Sequence, residues 1–167
     1  EKAGYLNALA ETRALSHDLT PFLKFALKGI EKQCNRLFSE IRLQVAKALY
    51  RNTMTDLFGR LRSPRKRVMS DRHVQLLQLL LDRGSQTFSE VIKQTTGLYH
   101  LKNFRKALIR DLSYLAALQA IEIKETDDKS DAIISINLDW PTQITESEFF
   151  KRVKEMPKAK IHGFLSS

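Results

Sequence analysis

The chain has 167 residues, of which 43% are hydrophobic and 28% charged, and its net charge is +9. This balance excludes an intrinsically disordered chain, and no apolar run approaches the ~20 residues that cross a bilayer. We therefore expect a soluble, globular protein without a membrane partner.

The single cysteine, Cys34, cannot form an internal disulfide, which is typical of proteins from a reducing compartment. The N-terminal residues lack the basic, apolar and small-residue regions of a signal peptide. We therefore expect a cytoplasmic location. Helical spacing of Tyr5, Leu6 and Leu9 follows directly after Glu1, so we also expect this chain to be the C-terminal part of a larger protein.

The positive charge is concentrated towards the start of the chain. Residues 1–70 carry a net charge of +8, residues 71–118 carry +3 and residues 119–167 carry −2. A basic segment attracts polyanions such as nucleic acids, but the same charge can simply solvate a surface. Charge alone therefore leaves the partner open.

Helices are predicted in the first 58 residues. One spans about Lys2 to Leu15, and the next starts near Thr20, which can cap it, with Pro21 in its first turn. From residue 22 to residue 58 apolar side chains recur every three or four positions. This spacing predicts one or two amphipathic helices, which Gly29 could bend or divide.

A basic segment follows at residues 59–70. Gly59 and Pro64 interrupt the helical pattern, and Arg65, Lys66 and Arg67 form a run of like charge. We predict an exposed linker and a domain boundary here. The three basic side chains are also candidates for contact with nucleic-acid phosphates, although a linker is the commoner reason for such a run.

Three further helices are predicted after this segment. They span about residues 71–83, 88–95 and 100–118, and Gly84 and Gly97 follow the first two. In the third helix the apolar side chains fall on one stripe, formed by Leu101, Phe104, Leu108, Leu112 and Leu115.

The apolar period then changes to two. Ile121 and Ile123 predict one strand, residues 134–138 predict another, and the polar residues 125–131 turn between them. Three helices followed by a hairpin describe a winged helix, whose third helix commonly enters the DNA major groove. We therefore predict a mainly α chain, in which N-terminal helices precede a winged helix-turn-helix domain at residues 71–140.

Residues 141–167 are predicted to form a C-terminal helix and a tail. The helix spans about Glu146 to Lys154, with Thr145 or Ser147 as its cap. The tail begins at Pro157 and is expected to be loose.

Several short motifs resemble a known family in their order along the chain. Gly4-Tyr5-Leu6-Asn7-Ala8-Leu9 and then Asp18-Leu19-Thr20-Pro21-Phe22 are similar to the stretch that follows the active-site motif of Fic proteins. Many longer Fic proteins continue with helices, a basic linker and a winged helix. Here Ile109-Arg110-Asp111-Leu112 resembles the end of a recognition helix in bacterial winged-helix regulators. The resemblance implies that residues 1–58 are the C-terminal helices of a Fic-like domain in a bacterial protein.

Fic enzymes are known mainly for AMPylation, the transfer of AMP from ATP to a protein hydroxyl. The family's catalytic motif, HxFx(D/E)GNGR, does not occur in this sequence, and no glutamate is followed by glycine or asparagine as in its inhibitory signature. No two glycines lie close enough to form a glycine-rich phosphate-binding turn. The resemblance therefore implies a chain that is not itself an enzyme and holds no cofactor. It also implies ATP and Mg for an upstream Fic domain.

The third predicted helix carries candidate nucleic-acid contacts opposite its apolar stripe. At 100° per residue, Lys102, Asn103, Lys106 and Arg110 share this face, and Arg105 flanks it. Lysine and arginine neutralise phosphates, while arginine and asparagine can also pair with guanine or adenine edges. Exposed helical faces tend to be charged in any protein, so a solvated surface remains the alternative explanation.

The predicted hairpin gives little support to a second DNA contact. Residues 122–131 contain five acidic and two basic side chains, which would repel a phosphate backbone. Two functions stay open. The first is DNA binding through the third helix. The second is a protein-contact or dimerisation module that regulates or positions an upstream AMP-transferring Fic domain.

No sequence pattern predicts a metal or small-molecule site. The four histidines are widely separated and lack ligand partners at zinc-binding spacing. The acidic residues 125–131 lack the glycine and the final glutamate of a calcium-binding loop.

Overall fold

The structure, a computed structural model, describes residues 2–16, 18–61, 64–99, 103–126 and 131–155. It is mainly helical, with a small three-stranded antiparallel sheet. Within these described ranges no helix is both long enough and apolar enough to span a membrane. The contacts between residues divide the chain into two compact units, Glu1–Val45 and Ala46–Ser167.

The first unit contains helix α1, Lys2–Ala14, and the beginning of helix α2, Thr20–Gly59. The ring of Tyr5 meets the rings of Phe22 and Phe25 edge-on, at 6.0 and 6.4 Å between centroids. A Cβ atom added at Gly4 would lie 3.0 Å from the Phe25 ring. The absence of a side chain at Gly4 therefore allows the two helices to approach closely.

Helix α2 begins with a cap that the sequence analysis assigned to the wrong residue. The Asp18 carboxylate accepts hydrogen bonds from the backbone N–H of Thr20 at 2.9 Å and from its hydroxyl at 2.7 Å. An aspartate commonly binds backbone two residues ahead, so Asp18 replaces Thr20 as the capping group. The helix also continues through Gly29, because one internal glycine costs only about 1 kcal/mol.

The second unit contains the C-terminal part of α2 and the remaining helices and strands. In chain order the elements that follow α2 are α3 (Pro64–Arg83), β1 (Gln86–Thr87), α4 (Phe88–Thr95), a 3-10 turn (Thr96–Leu98), α5 (Phe104–Ala117), β2 (Ile121–Glu125), β3 (Ala132–Ile136), α6 (Trp140–Gln143) and α7 (Glu146–Glu155). Helix α3 starts within the predicted linker 59–70, at a proline, which is favoured at the first helical position. Only residues 60–63 separate α2 from α3.

The sheet has the strand order β1-β3-β2, with antiparallel neighbours. The predicted hairpin is confirmed, since Ile121 pairs with Ile136 and Ile123 pairs with Ile134. Strand β1 was not predicted, because its two residues show no apolar alternation. Leu138 was predicted on the second strand but lies in the turn after β3.

Aromatic side chains from outside the predicted domain 71–140 complete the core of the second unit. Tyr50 lies 5.3 Å from Trp140, and Phe58 lies 5.2 Å from Phe149, between ring centroids. The Tyr50 hydroxyl donates to the Ala120 carbonyl at 2.8 Å, so its polar end is satisfied. The core therefore includes α2 residues before the predicted boundary and α7 residues after it.

Helix α7 agrees with the predicted C-terminal helix. Of the two predicted caps, Thr145 accepts a hydrogen bond from the backbone N–H of Glu148 at 3.3 Å. The predicted tail from Pro157 lies outside the described residues.

Candidate nucleic-acid interface

Helix α5 has one buried and one exposed side. Its apolar stripe enters the core through Leu108, Leu112 and Leu115, each fully buried. Lys106 and Arg110 are exposed and lie four residues apart, on one face of α5. Asn103 is exposed as well, but it directly precedes the helix, which begins at Phe104 and not near residue 100 as predicted. These three exposed residues are called the α5 face below.

Arg105 is exposed but turns to a different neighbour. Its guanidinium carbon lies 5.8 Å from the centre of the Phe88 ring, at the start of α4. This distance is typical of a cation–π contact. Arg105 is therefore partly engaged with α4, whereas Lys106 makes no ion pair among the described residues.

The side chains of four other predicted contact residues lie outside the described part of the structure, so their positions relative to the α5 face are not given. Lys102 lies outside the described residues. The backbone of the first turns of α3 contains Arg65, Lys66 and Arg67, but their side chains lie outside the described part of the structure.

A buried carboxylate fixes the position of α5 against α3. Asp111 is fully buried, and its Oδ2 accepts hydrogen bonds from the Arg72 Nε on α3 and from the Tyr99 hydroxyl, both at 2.9 Å. The Arg72 guanidinium also lies 5.4 Å from the Tyr99 ring centre. Because charge-assisted hydrogen bonds are strongly directional, this cluster restricts both rotation and sliding of α5.

Two opposing effects set the charge of Asp111. Burial raises the pKa of this carboxyl, but the attraction of His73 and Arg72 lowers the pKa by a larger amount. The net pKa therefore lies below its ordinary value. The His73 Nε2 is 3.7 Å from Asp111 Oδ1, too far for a hydrogen bond. We therefore assign the direct bonding to Arg72 and Tyr99. Burial and the nearby Asp111 charge raise the pKa of Tyr99, which keeps it a hydrogen-bond donor.

This cluster was not predicted from the sequence, although one signal pointed to it. Asp111 is an acidic residue within the stripe of Leu108, Leu112 and Leu115. A charged residue in an apolar stripe indicates a buried ion pair, because an unpaired buried charge is too costly. Neither Arg72 nor Tyr99 carries a comparable signal.

Strand β2 of the hairpin carries two exposed acidic side chains. On β2, Glu122 and Glu125 are exposed, and Glu122 pairs with Lys124 at 2.7 Å. The turn residues Asp127 and Asp128 lie outside the described residues. That the hairpin repels phosphate stays a prediction from its charge.

The N-terminus of α4 is occupied by its own side chains. The Thr87 hydroxyl accepts from the backbone N–H of Glu90, and the Glu90 carboxylate accepts from the backbone N–H of Thr87 at 2.8 Å, which is a capping box. Asp131 accepts from the backbone N–H of Ser89 at 3.2 Å. A nucleic-acid phosphate would have to displace two carboxylates to bind this helix end.

No protein family, curated protein or solved structure matches this chain. The resemblance to Fic proteins therefore stays a prediction from the quoted motifs. Among the described residues, no group of histidine, cysteine, aspartate and glutamate side chains is arranged to hold a metal ion.

One groove lies outside the α5 face, within the second unit. It has a volume of about 570 Å³ and is lined by α2, α3, α4 and the 3-10 turn, including Met54, Leu79 and Leu98. Arg51 and Asp82 form an ion pair at its border, at 3.3 Å. Nothing in the structure identifies an occupant for this groove.

Proposed function

We propose that the segment from α3 to β3 is a winged-helix module that binds duplex DNA through the α5 face. The proposal draws on the order of its elements, in which three helices precede a hairpin and β1 joins the hairpin in the order β1-β3-β2. This order is typical of winged helices, whose third helix commonly enters the major groove.

The observation that carries the proposal is the exposure of Lys106 and Arg110 along one side of a helix whose other side is buried, with Asn103 exposed directly before that helix. Arginine can form two hydrogen bonds with guanine, asparagine can do so with adenine, and lysine neutralises phosphate. The Asp111 cluster holds the helix rigid, and a rigid helix positions such side chains at lower entropic cost. Lys102 and the basic run Arg65, Lys66 and Arg67 stay in the proposal as further phosphate contacts.

The proposal limits DNA contact to α5 and its basic neighbours. The hairpin is acidic, and carboxylates cap the N-terminus of α4. Both features oppose phosphate binding at these places. We therefore expect weaker binding than for winged helices that clamp DNA with a basic hairpin.

Fluorescence anisotropy with a random duplex, at two salt concentrations, tests this function. Replacing Lys106 by alanine should weaken binding by one phosphate contact, and replacing Arg110 should cost about 1 to 3 kcal/mol of binding free energy where its guanidinium pairs with a base. Lys151→Ala, on the exposed side of α7, is a matched control that removes the same charge and should leave binding nearly unchanged. If all three variants bind alike, the α5 face is not the contact surface.

A second candidate function is protein contact, in which this region regulates or positions an upstream Fic domain that transfers AMP. The large number of exposed apolar side chains in the first unit, among them Leu27, Ile30 and Phe38, favours this alternative. Such patches commonly mark interaction sites. On this proposal residues 1–58 contribute to a Fic-like domain, the protein is cytoplasmic, and this chain performs no catalysis.

A further inference from the structure

A regular apolar stripe runs along α2 within the first unit. Its members alternate in steps of four and three residues and are called the α2 seam: Leu23, Leu27, Ile30, Cys34, Leu37 and Ile41. The exposed fraction of the five apolar residues other than Cys34 ranges from 50% for Ile41 to 64% for Leu27, and Cys34 is exposed as well. A helix normally buries such a stripe.

Helix α1 does not cover the α2 seam. Tyr5 packs on Phe22 and Phe25, which lie on a different side of α2 from Leu23 and Leu27. In the described part of this unit, only Ala8 and Thr12 are buried. The contacts within the unit therefore leave the seam free.

The seam forms a continuous apolar patch. Phe38 and Val45, exposed at 63% and 61%, extend it along one edge. Fully burying an exposed apolar side chain removes roughly 80 Å² from water, so seven side chains that are 50–64% exposed offer roughly 350 Å². This is within the range of the largest apolar patch on a typical monomer, and such patches commonly mark interaction sites.

The spacing identifies the kind of partner. Alternating steps of four and three residues give a period of 3.5, which keeps the seam facing a partner helix with the same period. The edges carry mixed charge, with Lys24 and Glu31 on one side and Glu40 on the other. Two identical seams can therefore meet without a row of like charges between them.

We propose that the α2 seam is a self-association surface, which pairs with the α2 seam of a second copy of this chain. The side chains of each seam insert between those of the other, as in helical bundles. This surface is separate from the α5 face, so the proposal does not depend on DNA binding.

The first test is the mass of the whole 167-residue chain in solution. Sedimentation velocity from about 1 to 100 μM should show a monomer that converts to a dimer, as expected for an interface of this size. A monomer at every concentration would overturn the proposal, and the seam would then belong to a contact with a different protein segment.

Paired variants locate the dimer contact. Leu37→Glu places a charge in the seam and should raise the dimer dissociation constant on the order of a hundredfold. Leu43→Glu is the matched control, because Leu43 is 43% exposed and lies on the opposite side of α2. Ile30→Glu should repeat the effect of Leu37→Glu. Circular dichroism should show unchanged helix content, since glutamate is a good helix former.

Cys34 provides an independent readout of position. It is the single cysteine of the chain and lies within the seam. A short bismaleimide should link two wild-type chains and two Leu43→Glu chains, but not two Leu37→Glu chains. A dimer that persists in Leu37→Glu and Ile30→Glu, or that does not cross-link through Cys34, would show that copies associate elsewhere and would overturn the proposal.

Discussion

Asp111 is a buried carboxylate at the contact between α3 and α5, and it depends on its partners for its charge. Arg72 and Tyr99 each bind it at 2.9 Å. Removing one member of a buried ion pair leaves the other charge without compensation. The free-energy cost of that unpaired charge is commonly larger than the net stability that the intact pair contributes. The cluster therefore serves to orient α5 more than to increase net stability.

Asp111→Asn should destabilise the fold by about 3 kcal/mol at neutral pH, because the Arg72 charge loses its partner. Since the pKa of Asp111 lies below its ordinary value of 3.8 in the folded chain, wild type should lose this advantage as the pH falls below that value. The free energy of unfolding in urea at pH 7 and pH 3 measures both effects. Asp82→Asn, which removes an exposed ion pair, should cost less than about 1 kcal/mol.

A difference between wild type and Asp111→Asn that stays constant from pH 7 to pH 3 would contradict this assignment. It would mean that the cost of the substitution comes from packing. The charge on Asp111 would then contribute little.

At the scale of helices and strands, apolar periodicity predicted most of the second unit. The helix at 88–95 and the strands at Ile121, Ile123 and Ile134 agree with the structure because their buried positions follow periods of 3.6 and two. The start of α3 was predicted too late. Residues 64–70 have little apolar periodicity, and Pro64 was interpreted as a breaker although it opens the helix.

One aromatic side chain of helix α7 is fully buried in the core of the second unit. Phe149 is fully buried and meets Phe58 and Phe150 edge-on, at 5.2 and 5.5 Å between centroids. Phe149→Ala should therefore lower the free energy of unfolding by about 3 to 5 kcal/mol. Chemical denaturation measures this, with Lys151→Ala on the exposed side of the same helix as the control. A loss below about 1 kcal/mol would mean that α7 contributes little to the core.

At the scale of the whole chain, the division into units could not be predicted from composition. The basic residues 59–70 indicated a boundary, whereas the contacts divide the chain between Val45 and Ala46. Tyr50, Met54 and Phe58 repeat the same apolar spacing as the residues before them, so nothing in the pattern shows that they pack with α3 and α5. These three side chains join that core only because α2 packs against elements that are distant in the sequence. The α5 face was predictable, because a single helix determines it.

Fragments test this division. A fragment of residues 46–155 should melt cooperatively, because it contains the described core of the second unit. A fragment of residues 71–139 should not, because it lacks Tyr50, Phe58, Trp140 and Phe149, each of which contributes a large buried ring. Thermal unfolding followed by circular dichroism distinguishes them. Cooperative melting of the shorter fragment would support the boundary predicted at 59–70.

The whole chain should neither bind ATP nor transfer AMP. The second candidate function, protein contact, assigns catalysis to a Fic domain outside this chain. The sequence itself lacks a glycine-rich phosphate-binding turn. Calorimetry with Mg-ATP and a labelling assay with radioactive ATP measure both properties. Micromolar affinity or any self-labelling would exclude this assignment.

The salt dependence of DNA binding is the decisive test of the α5 face. Anisotropy of a labelled duplex should give a straight line of log affinity against log salt, with a slope of about −0.9 for each phosphate contacted. Lys106→Ala should reduce that slope by about one contact, whereas Lys151→Ala should leave it unchanged. Wild-type chain that binds no duplex even at low salt, or a slope that Lys106→Ala does not alter, would contradict DNA binding through the α5 face.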